Sequence, residues 1–323
     1  MPQNGQSTSG PPLYCAGVVN YRSYDDLTHC LDTLRGQSCQ AEAVMVVDSD
    51  PDEQRLAAVR QTHHDVFFER AANRGYAGGA NRILELMEHH APEATFCLIL
   101  NADIMLDTDF CGTLLAAMAA RSDVALGGGK LLRPGRERLD SAGIRLPLNR
   151  RPRDRGSLQL DRGQFDEGEY VFGVSGAAMM LRRSALPDLA IDGEIFDEDF
   201  FVYHEDTDLS WRCHRLGWRV FYEPAAQAVH KRGWQSEARF SIPTEVRRHS
   251  FKNHYLQIIK NESLGKFVCV LPVLLVWEFL RLGFALVSDR PVLRAYLDAG
   301  RLMGRAFYKR GLLRSKIRER NRL

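Results

Sequence analysis

The stretch 98-LILNADIML-106 decides the fold. An apolar run stops at Asn101, and Asn101-Ala102-Asp103 then presents two oxygen-bearing side chains two positions apart. Such a pair at a strand end can hold a hard divalent cation, which takes few protein oxygens and leaves positions for phosphate. Asn-x-Asp after a strand also suits a plain turn, and the nonapeptide alone leaves both readings open.

Outward toward the N-terminus, 13-LYCAGVVNY-21, 41-AEAVMVVD-48, 66-VFFE-69 and 95-TFCLILN-101 read as strands. Tyr24 to Arg35 carries Leu27, Cys30, Leu31 and Leu34 at helical spacing, and Asp52 to Gln61 and Ala77 to His90 also read as helices. This alternation predicts right-handed βαβ units, hence an α/β fold with a mostly parallel central sheet flanked by helices. Ligands bind beyond the carboxyl ends of such strands. Asn20, Asp48 and Asn101 to Asp103 fall there.

Toward the C-terminus the pattern changes. Residues 126–146 read as short strands and turns, and Arg145 to Gly168 as a mobile surface loop rich in Arg, Asp and Gly. A strand with a glycine break follows in 171-VFGVSGAAMMLRR-183. Leu209 to Leu216 reads as a helix stopped by Gly217, and 218-WRVFYEP-224 as a strand.

Three segments can carry chemistry besides the strand end. In 196-FDEDFFVYHEDTDLSWRCHRLGW-218, Asp197, Glu198, Asp199, Glu205, Asp206 and Asp208 are interleaved with large aromatics. That interleaving sets carboxylates at the rim of an apolar pocket, and an ionised carboxylate in a cleft can act as a general base. Asp206 and Asp208 can equally be helix caps. In 73-NRGYAGGANRIL-84, Gly75, Gly78 and Gly79 precede a helix and allow backbone N–H groups to approach a phosphate or nucleoside. A tight turn is the alternative there. The GxxxxGK[ST] and GxGxxG spacings are absent, which disfavours a P-loop or a dinucleotide-dependent oxidoreductase. His230, in 228-AVHKRGWQS-236, is a structural histidine unless it reaches a metal.

Of the 323 residues, 45% are hydrophobic and 26% charged, which excludes disorder, collagen and a disulfide scaffold. The seven cysteines form no CxxC pair, so a zinc site has no support and a reducing compartment fits. The first twelve residues lack the charged and apolar regions of a signal peptide and read as a flexible lead-in. The net charge of +2 hides an asymmetry: Arg294 to Leu323 carries +8, and the remainder −6. Between them, Ser263 to Val287 is strongly apolar, but its uncharged core, Phe267 to Trp277, is short for a spanning helix. A re-entrant, interfacial or buried core segment is expected. Arg294, Asp298, Arg301, Arg305 and Lys309 then share a helical stripe, as a membrane-surface anchor would. A solvated helix packed on its own domain is the plainer alternative.

Taken in order, VVNYRS, VVDSD, NRGYAGGAN, LILNADI, VSGAAMMLRR and the 196–224 segment resemble bacterial glycosyltransferase family 2 enzymes of the GT-A fold, most of all the rhamnosyltransferase branch. The resemblance covers Leu13 to Ser263. It implies a lead-in over 1–12, a GT-A domain over 13–263 and a helical membrane-associating extension over 264–323. It also implies an inverting, metal-dependent transfer of a sugar, L-rhamnose from dTDP-rhamnose, to a hydroxyl of a lipid-linked or glycan acceptor. Asn20, Tyr21, Asp48, Asn73, Arg74, Gly75, Asn101, Ala102 and Asp103 would hold the nucleotide sugar. Asp103 and His230 would hold Mg2+ or Mn2+. Asp206 would be the base, with Glu205 beside it, and Ser175 and Gly176 would build the acceptor side. Ser49 departs from the family's usual pattern after the second strand, which leaves a UDP-sugar as the alternative donor. The setting implied is the cytoplasmic face of the bacterial inner membrane, with peripheral attachment, no nucleic-acid partner and a homo-oligomer left open. A non-catalytic nucleotide-sugar-binding assembly partner is the competing reading.

Overall fold

A computed structural model describes residues 12–232, 240, 242–320 and 322. All of the lead-in except Pro12, and the last part of the His230 motif, lie outside the described residues. The first half runs β1 (Tyr14–Asn20), α1 (Tyr24–Arg35), β2 (Val44–Asp48), α2 (Glu53–Thr62), β3 (Phe67–Arg70), α3 (Gly75–His90) and β4 (Phe96–Asn101). The apolar spacing of α1 turns Tyr24, Leu27, Cys30, Leu31 and Leu34 inward. Asp52 caps α2 by accepting from the Arg55 N–H at 3.1 Å.

Next come β5 (Ile104–Leu106), α4 (Phe110–Ala119), β6 (Val124–Leu132), β7 (Leu139–Ser141), β8 (Ile144–Arg145), β9 (Arg153–Asp154), β10 (Glu169–Val171) and β11 (Ala178–Arg182). A short α5 (Leu186–Leu189), α6 (Glu205–Arg215) and the long β12 (Arg219–His230) follow. The chain ends in α7 (Thr244–Asn261), α8 (Leu264–Ser288) and α9 (Arg294–Arg320).

Ten strands form one sheet, with the order β10-β12-β6-β11-β4-β1-β2-β3 and with β5 and β7 attached to β12 and β6. It is parallel through β4, β1, β2 and β3, and mixed beyond, because β11 enters antiparallel between β4 and β6. One face is covered by α1, α2 and α4, and the other by α3 and α6, each over its own buried cluster. Strand ends Asn20, Asp48 and Asn101 therefore share one edge. Five of the seven cysteines are buried in these layers, and none of the seven is in a disulfide.

Two expectations are corrected. Arg145 to Gly168 is not a detached loop. It forms β8 and β9, and Asp161 and Asp166 both pair with the buried Lys130 of β6. The apolar segment is not a buried core helix. As α8 it runs unbroken for 25 residues, Pro272 included, and buries only Val270 and Ala285. By length and composition it could cross a membrane, at about 1.5 Å per residue against a hydrocarbon core of about 30 Å.

The basic stripe is divided: Arg294, Arg301 and Arg305 are exposed, Asp298 is half-buried and Lys309 is buried. Lys309, 1% exposed, pairs with Glu194, Asp197 and Asp199. Arg305 pairs with Asp199 at 3.0 Å, and Asp298 with Arg248 at 2.6 Å. Leu313 enters the core cluster of the sheet. The exposed surface of α9 also shows Leu297, Met303, Phe307 and Tyr308. The helix is therefore packed on the body, and Lys309 and Arg305 answer carboxylates of the 194–199 segment.

Candidate active site

At the strand edge, Asn20 and Asp48 are both buried and bind each other, Asn20 Nδ2 donating to Asp48 Oδ1 at 2.7 Å. Tyr24, which sequence reasoning missed, donates to Asp48 Oδ2 at 3.0 Å. Burial pushes the Asp48 carboxyl up, against the two hydrogen bonds. Both side chains thus build the floor of the edge. Asn20 Oδ1 is buried without a hydrogen-bond partner among the described residues. Tyr21 stands out, half-exposed, under the Arg22 guanidinium.

The glycine-rich segment forms the start of α3. Asn73 Oδ1 accepts from the Gly75 N–H at 3.0 Å. Gly75 has φ +73°, and a Cβ there would lie 2.1 Å from the Phe201 carbonyl oxygen, so glycine is required. Arg74 pairs with Glu198, and the Ala77 N–H donates to the Phe201 carbonyl at 3.3 Å. The glycine-rich loop is therefore seated directly on the acidic segment.

That segment is strained. Phe201, Tyr203 and His204 all have positive φ, between 66° and 69°, a conformation that costs non-glycine residues energy and collects at functional sites. The run turns the chain into α6, so that Glu205 and Asp206 open its first turn, where the helix dipole favours negative charge. Asp206 Oδ2 accepts from the Gly176 N–H at 3.0 Å, and Oδ1 from the Thr207 N–H at 2.6 Å. Burial pushes the Asp206 carboxyl up, the Gly176 N–H pulls it down, and Asp154 adds a further rise. Glu205 is raised much more, by burial first and by Asp206 next, and its Oε2 has no hydrogen-bond partner among the described residues. Both adjacent carboxyls are raised, Glu205 much more than Asp206, so Asp206 is the easier of the two to ionise. Ser175 Oγ accepts from the Ala177 N–H, and the Gly176 carbonyl accepts from Tyr76, a second residue missed from sequence.

The Asn101 end of β4 joins this group. The Asn101 N–H donates to the Ala177 carbonyl at 2.9 Å, one residue from Gly176. Ala102 is buried. Asp103 Oδ1 lies 3.4 Å from His230 Nε2, and His230 Nδ1 lies 2.7 Å from Asp140 Oδ2. Burial opposes protonation of His230, but the two carboxylates hold its pKa up to about 9. Asp140 was not foreseen, because it is 90 residues from its partner. It fits the outer carboxylate of a carboxylate–histidine–metal arrangement. No group of three His, Cys, Asp or Glu that could hold a metal alone exists among the described residues.

A mixed sheet of this order, flanked by helices on both faces, has a GT-A-like α/β architecture. The structure is similar to that of GalNAc-T7 with UDP, GalNAc and Mn2+ (TM-score 0.58, 11% identity, 77% of this chain and 48% of that one). It is also similar to S. aureus TarS (TM-score 0.57, 17% identity, 95% of this chain and 54% of that one). The chain thus spans about half the length of these two structures. The chain belongs to glycosyl transferase family group 2, whose model matches residues 96–288, and it is a glycosyltransferase. It is 25% identical over 234 residues, 66% of this chain and 74% of the relative, to an N-acetylglucosaminyl-diphospho-decaprenol L-rhamnosyltransferase of Mycobacterium tuberculosis. A low-salt glycan biosynthesis hexosyltransferase, Agl10, of Haloferax volcanii is 22% identical over 247 residues, 74% of this chain and 73% of the relative.

Proposed function

We propose that the chain moves L-rhamnose from dTDP-rhamnose to an acceptor hydroxyl by a single inverting displacement. The observation that carries this is the hydrogen-bonded path Asp206–Gly176–Ala177–Asn101, which ties a partly buried carboxylate to the strand end bearing Asp103. Asp206 takes the proton of the acceptor hydroxyl as that oxygen attacks the anomeric carbon opposite the leaving nucleoside diphosphate. A base in that role contributes about 10²–10⁴-fold. Glu205, kept neutral, adds no second charge beside it.

Mg2+ or Mn2+ fits Asp103 and His230, with Asp140 fixing the imidazole from behind. Two protein ligands leave positions for donor phosphate, and the ion would neutralise charge on the departing diphosphate. The imidazole must lose its Nε2 proton to ligate, so binding would release a proton. The rhamnosyl donor is the reading that the mycobacterial relative supports; a UDP-sugar is the alternative. The acceptor is a lipid-linked or glycan hydroxyl in bacterial surface-glycan synthesis, at the cytoplasmic face of the inner membrane. The outward apolar surface of α8 supports attachment there.

A thermal-shift screen of nucleotide sugars with and without Mn2+ tests the donor and the ion together, since a ligand of the native state raises its stability by mass action. dTDP-rhamnose with Mn2+ should give the largest shift. A larger shift with a UDP-sugar would replace the donor, and equal shifts without Mn2+ would remove the ion.

A further inference from the structure

The turn that delivers Asp206 is held from outside its own segment. Phe201, Tyr203 and His204 have positive φ, and relaxing any of them would redirect the chain just before the candidate base. What keeps them in place is α7. Asn253 is fully buried, and its Nδ2 donates to the carbonyls of Phe200 and Val202 at 2.9 Å and of Tyr203 at 2.7 Å. Three carbonyl oxygens around one nitrogen fix which end of the amide faces the turn. The Phe201 carbonyl accepts from the Ala77 N–H, and the His204 carbonyl from the Asp208 N–H at 2.8 Å. Every carbonyl from Phe200 to His204 is thus bonded, two of them by Asn253 and no other group among these.

Neighbouring side chains of α7 extend the grip. Ser250 Oγ and Gln257 Oε1 each lie 3.3 Å from a ring nitrogen of His204. Lys252 Nζ donates to the Asp199 carbonyl at 2.6 Å, and Asn261 Nδ2 to Asp208 Oδ1 at 2.7 Å, within the first turn of α6. Ser250, Asn253, Gln257 and Asn261 are spaced three and four residues apart, so they form one polar stripe along α7. The last three are fully buried. Burying such groups is costly unless they are bonded, and here they bond the segment that carries Glu205 and Asp206.

We infer that Asn253 is a positioning residue for the transfer: through the 200–204 turn it sets where Asp206 stands against the Gly176 N–H. The inference rests on the reading of Asp206 as the base. The Asn253 amide bonds the backbone of the turn and not the carboxylate, so its effect on the reaction passes through the path of the chain. A reacting group misplaced by about 1 Å can lose on the order of a hundredfold in rate.

The test is a double-mutant cycle with Asp206→Asn. Turnover is read as dTDP released from saturating dTDP-rhamnose, with Mn2+ and a detergent extract of bacterial membrane lipids as the source of acceptor. Asn253→Leu keeps the volume and removes the amide. It should lower kcat about 10–100-fold, while dTDP affinity measured by calorimetry changes less than about threefold. In the Asp206→Asn background the same substitution should cost less than about threefold, because a base that is absent cannot be misplaced. A loss of equal size in both backgrounds is what plain destabilisation gives, and it overturns the inference. Near-normal kcat in Asn253→Leu, or a loss carried by dTDP affinity alone, overturns it too. If Asn253→Leu does not fold, Asn253→Ser, which leaves room for water at the three carbonyls, is read in the same cycle. Two variants that both fail to fold make Asn253 a stability residue and overturn the inference. Near-normal turnover in Asp206→Asn alone would instead remove the base itself, and no dTDP release by the wild type would remove the transfer from this donor, so these failures are told apart.

Discussion

The Gly176 N–H holds Asp206 Oδ2 at 3.0 Å across thirty residues of chain, fixing the candidate base against the strand that pairs with β4. Asparagine at 206 keeps this hydrogen bond through its amide oxygen but cannot take a proton. Asp206→Asn should therefore lose at least about a hundredfold in turnover while donor affinity stays near normal. Near-normal turnover would end the assignment of the base.

The pH profile should follow Asp206. Burial raises its carboxyl and Asp154 adds to the rise. A base works ionised, so turnover should fall as pH drops through an inflection above the usual carboxylate range. Asp154→Asn removes a raising charge and should move that limb to lower pH. Glu205→Gln, isosteric with the neutral acid, should leave it in place. A limb that moves upward in Asp154→Asn would contradict the electrostatic account.

Asp103→Ala removes the carboxylate facing His230 Nε2. Nucleotide binding measured by calorimetry should then lose its dependence on Mn2+. Binding that remains metal-dependent would place the ion elsewhere.

Lys309→Met tests the clamp between α9 and the acidic segment. Burial works against ionisation of Asp197, yet Lys260 and Lys309 together hold its carboxyl below the usual range. The stabilisation this gives is present above the ordinary carboxylate pKa and is lost as pH falls below it. Breaking a buried ion pair from one side costs about 3–5 kcal/mol, so the variant should melt several degrees lower at neutral pH. An unchanged melting temperature would show that Lys260 alone suffices.

Attachment to vesicles should depend on the exposed apolar area of α8 more than on lipid charge, since Lys309 of the stripe is buried in ion pairs and Arg305 is paired with Asp199, although Arg294 and Arg301 stay outward. Raising the anionic lipid fraction should change co-sedimentation little. Leu275→Glu with Phe279→Glu should reduce it about tenfold or more, each side chain accounting for roughly 1.5–3 kcal/mol if buried in lipid. Binding that follows anionic content would restore the basic stripe as the anchor.

The first half of the fold was legible because strand and helix periods alternate cleanly there, and Tyr24–Arg35 matches to the residue. Helix α4 was not seen, because FCGTLLAAMA is apolar all round and has no periodic polar face. β12 continues past Pro224 to His230 through a shift in register, which a strand pattern stopped at proline does not convey. At the site, Asp206, Asp103 and His230 stood out by motif. Tyr24, Tyr76 and Asp140 did not, since their importance arises only from contacts across 24, 100 and 90 residues. The α9 stripe was legible only in part for the same reason: amphipathic spacing says that two faces differ, not that Lys309 and Arg305 find carboxylates.

Gly75 pressed against the Phe201 carbonyl, Arg74 paired with Glu198, and Asn81 bonded to the Phe196 backbone fasten residues 73–81 to residues 196–201. For anyone redesigning the enzyme, these two stretches are a single part. A 73–81 loop borrowed from another transferase would arrive without its seat, so if that loop holds the donor as proposed, an exchange of sugar specificity calls for both segments to be grafted together.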